Sequence, residues 1–350
     1  MAGSGAHARV PRLKHEITIA GGGLAGLSLA IALRQRDITV TVIEAGSYPR
    51  HRVCGEFISG VSFETLGNLG IAGFFHDALW HQTLSWHDQG NRFYQGKLPE
   101  PALSISRLAL DHRLKNRFEN LGGELITGTR VRPEPHQGFV WAAGRRATKG
   151  RWLGLKAHFH GIPMNAHLEM HSGNNGYAGL AGVEDNWINV CGLFKIDRSI
   201  EAKGPDLLPA YLEAGGNHAL AELLRGANCR EGSFSAVAGF ELGRQPAIPG
   251  VVCIGDAESM IPPFTGNGMS MAFQSAEIAI EPLVAWAEDS ISWETAKDRI
   301  ASDLRKRFRR RLTTAVALHH VILHPSGRKL LRSLSAAHLL PFRPALSLVR

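Results

Sequence analysis

Three glycines at positions 21, 23 and 26 stand in the order G-x-G-x-x-G inside ITIAGGGLAGLSLA (17–30). That spacing suits phosphate binding. Gly21 permits a tight turn, Gly23 lets a pyrophosphate approach the backbone beside Leu24 and Ala25, and Gly26 lets a helix lie close on its strand. Glu44 ends the apolar run of DITVTVIEAG (37–46), near the place where a carboxylate would receive a ribose hydroxyl. A second glycine-rich joint lies in GVVCIGDAESMIPPFTGNGMSMAFQSAEIAIEPL (250–283). There Asp256, after Gly255, can accept hydrogen bonds from a polyol chain, and Pro263, Gly266, Asn267 and Gly268 lead into a helix at Met269.

The elements around these residues decide what the glycines are for. HEITIA (15–20) alternates as a buried strand does, LAGLSLAIALRQR (24–36) repeats apolar residues at helical spacing, and 37–46 reads as a second strand. VVCIG (251–255) reads as a further buried strand. Two helix starts remote in sequence, each bringing unpaired N–H groups and the positive end of a helix dipole, could clasp one extended dinucleotide. NAD, NADP and FAD all use such a unit; two helix ends on one long cofactor suit FAD.

Between the joints, WLGLKAHF (152–159), AHLEM (166–170) and WINVCGLFKI (187–196) read as strands, while DLLPAYLEA (206–214) and HALAELLRG (218–226) read as helices. The expected division is a discontinuous FAD-binding domain (1–80, 100–150 and 240–300), a substrate-binding β-sheet domain (81–99 and 151–239) and a basic helical tail (301–350).

The chain has 350 residues and a formal charge of +8, and from Leu304 onward it carries eleven Lys/Arg and no Asp/Glu. Leu304, Phe308, Leu312 and Val316 place an apolar stripe on the densest basic run, RKRFRRRL (305–312). Packing of that stripe on the body and attraction to an anionic membrane surface both remain open. Nucleic acid is not an expected partner, since no stacking aromatics interleave the charges. Cys54, Cys191, Cys229 and Cys253 form no CxxC pattern, so neither a disulfide framework nor a metal site is expected, and the cytoplasm fits. The seventeen histidines, His319 and His320 among them, read as surface residues. The Met1–Lys14 leader lacks the apolar core of a signal peptide.

The opening glycines, Glu44, and GDAESMIPPFTGNGMSMA together resemble the flavoprotein superfamily of aromatic-ring monooxygenases, flavin halogenases and geranylgeranyl reductases. PRHRVCGEFISG (49–60) is similar to the segment where the reductases carry Cys-Gly-Glu beside the flavin. ISRLALDHRL (105–114) resembles the superfamily's Arg-x-x-Leu-Asp helix start, whose arginine, here Arg107, reaches the cofactor. The resemblance spans roughly residues 15–285. It implies an α/β fold: a Rossmann-like FAD-binding domain of the glutathione-reductase type, a mixed or antiparallel β-sheet substrate domain and a helical C-terminus.

It also implies FAD reduced by NAD(P)H and an apolar or aromatic small-molecule substrate, with Cys54, Gly55, Glu56, Arg52 and Arg107 at the cofactor. Cys54 could shape the pocket, donate a proton or simply pack. Glu56 could orient the flavin or close a helix N-terminus; Arg52 and His51 could neutralise the diphosphate or lie in a solvated loop. Many hydroxylases have Asp-Gly where this chain has Ala143-Gly144 in WAAGRRATKG (141–150), and the halogenase insertion is not visible. Around Tyr177 the reductase signature is eroded. A monooxygenase is therefore the first expectation and a geranylgeranyl-reductase-like enzyme the second. A flavin-free NAD-dependent dehydrogenase and a non-catalytic flavin-binding scaffold are the remaining alternatives. The end of the tail, 315–350, is expected to cover the substrate cavity, and its removal to spare FAD.

Overall fold

The computed structural model describes residues 15–146 and 148–350; the Met1–Lys14 leader lies outside them. Five short strands form a parallel sheet in the order Val252–Cys253, Phe139–Trp141, Ile17–Ala20, Val40–Ile43, Glu124–Ile126; the central strand Ile17–Ala20 is buried on both faces, as expected where helices cover a parallel sheet, while the edge strand Glu124–Ile126 is exposed. The Leu24–Arg34 helix leaves the central strand with ten buried residues. It packs between the Arg107–Asn120 and Gly268–Ala287 helices.

The second sheet has nine strands. Its main path runs Asn228–Cys229, Trp152–His160, Ile188–Lys195, Gly176–Gly182, Leu168–Ser172, Leu79–Asp88, Asn91–Ser104, Phe57–Ile58, with Ser235–Ala238 paired to Trp152–His160. Pairing is antiparallel except between Leu79–Asp88 and Leu168–Ser172, which run parallel. Alternation sorts the side chains. Trp86, Met170, Tyr177 and Leu193 turn to one face, while Leu155, Ala178, Leu180 and Val190 turn to the other and bury against the Leu207–Ala214 and His218–Gly226 helices.

The chain ends in helices Trp293–Leu323, Pro325–Ala336 and Phe342–Ser347. Of the expected stripe, Leu304 and Phe308 are buried and Leu312 and Val316 half-buried, so the helix packs its apolar side on the body. Arg305, Lys306, Arg307, Arg309 and Arg310 remain exposed. Arg311 departs from this pattern: it is buried, donates to Gln274 Oε1 at 2.8 Å, and burial pushes its pKa down to about 10. The reading of the histidines as surface residues holds for His320 and is corrected for others. His81, His87, His158, His171 and His319 are all buried, because the period of a strand or helix buries one face whatever residue stands there.

Candidate functional site

Helix starts differ in how their N–H groups are satisfied. Ser62, Ser106 and Ser292 cap their helices with side-chain hydroxyls. The helices beginning at Leu24 and Gly268 have no side-chain cap, so their first amides are left to a ligand or solvent. A Cβ placed on Gly23 or Gly268 would meet nothing within 4 Å. Both starts open into one cavity of about 1310 Å³.

The two glycine joints are in direct contact. Gly255 has φ +61°, and a Cβ on it would lie 2.9 Å from that of Ala25; its amide donates to Ser275 Oγ at 2.9 Å, tying the joint to the Gly268–Ala287 helix. Gly21, with φ +111°, passes so close to Ala142 that a Cβ would sit 2.4 Å from its carbonyl carbon.

Of the residues expected at the site, Gly21, Gly23, Leu24, Ala25, Glu44, Arg52, Cys54, Gly55, Arg107, Gly255, Asp256, Pro263, Gly266, Gly268 and Met269 line this cavity. Gly26, Glu56 and Asn267 do not. Gly26 lies under the helix, where a Cβ would come within 1.9 Å of Gly21 O. Asn267 is buried, donating from Nδ2 to Thr265 O at 3.0 Å and Val349 O at 2.7 Å. The C-terminus is thereby fastened to the second glycine turn, and Leu331, Phe342 and Leu346 of the tail line the cavity.

Glu44 accepts from the Gly22 amide at 2.8 Å, the Gly46 amide at 2.9 Å and Arg50 at 2.6 Å. Burial opposes its ionisation, but Arg52 and these donors hold the carboxyl below the usual range. Arg52 and Arg107 share Asp111: Arg52 Nε lies 2.9 Å from Oδ2, and Arg107 Nε 2.7 Å from Oδ1. Asp111 is the aspartate of the Arg-x-x-Leu-Asp helix start, but sequence reasoning assigned it no role of its own; its i, i+4 spacing from Arg107 was the available signal. Burial raises the Cys54 thiol, which keeps it protonated and unlike an activated nucleophile. Burial likewise raises Asp256 to about 6, against the pull of Arg107 and Arg145.

Glu56 sits in a dry network beneath the cavity wall. Its Oε2 accepts from His158 Nε2 at 2.6 Å, and its Oε1 lies 3.2 Å from Lys156 Nζ and accepts from the Arg107 amide at 2.9 Å. Burial would raise the carboxyl, but these donors hold it below its ordinary value. Lys156 also donates to His51 Nδ1 at 2.9 Å. His51 faces the cavity, and burial, helped by the Lys156 charge, pushes it down to about 4. Lys156 and His158, both on the inward side of Trp152–His160, could be recognised only as two polar residues in a run otherwise buried and apolar.

Farther along the cavity the walls become apolar: Trp86, Met170, Tyr177, Leu193, Phe264, Ile322, Leu331, Phe342 and Leu346. Tyr177 is buried with its hydroxyl 3.4 Å from His319 Nδ1. Of WAAGRRATKG, Trp141–Arg146 line the wall, while Ala147 lies outside the described residues.

A family model described as an NAD(P)-binding Rossmann-like domain matches residues 19–75. The structure superposes on HpxO of Klebsiella pneumoniae, solved with FAD and uric acid, with TM-score 0.72 and 15% identity over 97% of this chain and 99% of that one. It superposes equally broadly on pqsL of Pseudomonas aeruginosa, described as a probable FAD-dependent monooxygenase, with TM-score 0.67 and 16% identity over 95% and 98%. The chain has the fold of the FAD-dependent monooxygenases. By sequence it is 23% identical over 314 residues to a menaquinone reductase of Mycobacterium tuberculosis, across 77% of this chain and 76% of that protein. That fold brings the parallel sheet, the mixed sheet and the helical C-terminus expected from the sequence into one body around the cavity.

Proposed function

We propose that this protein is an FAD-dependent oxidoreductase, its flavin reduced by NAD(P)H, acting on an extended apolar or aromatic small molecule. One observation carries this reading: a single cavity joins two uncapped, glycine-led helix starts to an apolar chamber. At about 1310 Å³ it exceeds the ~300–1,000 Å³ of an ordinary ligand pocket, which leaves room for a dinucleotide and a substrate together. The lining fits FAD. Open space at Gly23 and Gly268 admits close backbone approach, and Arg50 Nε and one terminal nitrogen of Arg52 are buried without a hydrogen-bond partner.

The amides of Gly23, Leu24 and Ala25 and the guanidinium of Arg52 would hold the diphosphate, Glu44 a ribose, and Asp256 with the turn Pro263–Met269 the polyol and ring end. The described residues within 1–80, 100–150 and 240–300 then form the nucleotide-binding part, and 81–99 with 151–239 the substrate-binding part. Bound flavin supplies the electron transfer. Asp111 fixes Arg52 and Arg107 in place, the apolar chamber excludes water, and His51, joined to Lys156 and Glu56, can exchange a proton at the cavity wall. Cys54 shapes the pocket as a neutral thiol.

Hydroxylation of the substrate is the reading supported by the fold likeness to a probable monooxygenase. Reduction of a carbon–carbon bond in an isoprenoid or quinone-like substrate is supported by separate observations: the menaquinone reductase match, and Cys54, Gly55 and Tyr177 on the cavity wall. The purified protein should be yellow and be bleached anaerobically by NADH or NADPH. Colourless protein that takes up no FAD would refute the reading. Oxygen consumed in proportion to product separates hydroxylation from reduction.

The cationic face of the Trp293–Leu323 helix, with exposed Leu330 and Leu339 on the following segment, supports peripheral contact with an anionic membrane. No described helix is long and apolar enough to cross one. Vesicles containing phosphatidylserine should bind the protein, and raised salt should release it. Binding unchanged by salt would refute an electrostatic contact.

A further inference from the structure

The parallel pair Leu79–Asp88 and Leu168–Ser172 carries two functions on its two faces. Trp86 and Met170 turn into the cavity. The intervening residues turn away, and the register places Ser85 opposite Glu169 and His87 opposite His171, so four polar side chains form a square on the far face of the sheet. All four are buried.

One ligand-type atom from each of His87, Glu169 and His171 lies within 4.8 Å of the other two. His171 Nε2 is 3.0 Å from Glu169 Oε2, and the two imidazoles stack with centroids 4.4 Å apart. His87 Nε2 meets Ser85 Oγ at 3.1 Å. Glu169 Oε1 is held from behind by the Asn165 amide and by Asn165 Nδ2, the latter at 3.1 Å. Such outer contacts are those that aim a ligating carboxylate or imidazole. His171 Nδ1 is buried with no hydrogen-bond partner.

A second group with the same residue types, His51, Glu56 and His158, also has its ligand atoms within 4.8 Å. There the Lys156 ammonium already stands 3.2 Å from Glu56 and 2.9 Å from His51, so the place of a cation is taken by the chain itself. No Lys or Arg among the described residues forms an ion pair with Glu169; its ionic partner is His171.

We propose that His87, Glu169 and His171 form a divalent transition-metal site on the face of the sheet opposite the cavity, with two imidazoles and one carboxylate suited to Zn²⁺. Tetrahedral coordination at ~2.0–2.2 Å requires ligand atoms to stand about 3.3 Å apart. The two imidazoles now stack nearly parallel, at 13°, so binding requires one ring to turn until both in-plane lone pairs meet the ion, with Ser85 Oγ or water completing the shell. Borderline ions with imidazole and carboxylate ligands, and not Mg²⁺ or Ca²⁺, match this donor set. The metal would clamp the two strands whose other face carries Trp86 and Met170. This inference does not depend on the flavin reading.

The test uses untagged full-length protein stripped by chelator dialysis and titrated with Zn²⁺, and separately with Co²⁺ as a spectroscopic probe. One equivalent should bind, with visible Co²⁺ bands of a four- or five-coordinate site, and Zn²⁺ should raise the melting temperature. His87→Gln, Glu169→Gln and His171→Gln should each weaken binding about tenfold or more, whereas His51→Gln should leave it unchanged. Should a variant fail to fold, the stoichiometry and Co²⁺ spectrum of the unaltered protein still decide. Substoichiometric binding, an octahedral Co²⁺ spectrum, or loss of binding in His51→Gln would each overturn the proposal.

Discussion

Lys156 Nζ lies 3.2 Å from Glu56 Oε1 with neither side chain exposed to solvent. A charge so placed depends on its partner, because removing one member strands the other in a dry interior. Lys156→Met should therefore cost about 3–5 kcal/mol of unfolding free energy. Urea titration measures it; a loss below about 1 kcal/mol would mean that the pair is not formed.

Gly23 and Gly26 belong to one motif and should fail in different ways. A methyl at Gly23 meets no protein atom, while one at Gly26 would overlap Gly21 O at 1.9 Å. Gly23→Ala should melt near the parent protein yet bind FAD more than about tenfold more weakly, since the lost closeness is to the ligand. Gly26→Ala should lose about 1–3 kcal/mol of stability before any ligand is added. Equal stability losses in the two variants would contradict the geometry.

Asp256 has its carboxyl raised to about 6 by burial, from an ordinary 3.8. The folded chain then holds this proton more tightly than the unfolded chain, so between about pH 4 and 6 this group makes stability fall as pH rises. Asp256→Asn removes that contribution, which should amount to 2–3 kcal/mol at most, to order of magnitude. Denaturation midpoints of both proteins, followed without FAD from pH 4 to 7, provide the comparison; parallel curves would refute the shift.

The hydrogen bond from Asn267 Nδ2 to Val349 O makes the last residues part of the second glycine turn. A chain ending at Leu348 leaves a buried amide donor short of a partner, at a cost of about 1–3 kcal/mol. FAD affinity, read by quenching of flavin fluorescence, should fall roughly five- to a hundredfold. Unchanged affinity would instead support the expectation that removal of the tail spares FAD.

The sequence by itself determined the local pieces. Glycine order between a β-branched strand and a helix, the carboxylate ending the next strand, and the 3.6-residue stripe of the basic helix are encoded within a few neighbouring residues, and physical periodicity makes them readable. Tertiary structure alone decided which side chains meet. Strand register, not spacing, brings Ser85 and His87 beside Glu169 and His171. Packing between segments about a hundred residues apart closes Glu56 onto Lys156 and His158. It also ties Asn267 to Val349. A histidine on a strand looks the same in sequence whether it faces water or a buried carboxylate, because the alternation that buries it depends on what the other strand and the covering helices place there.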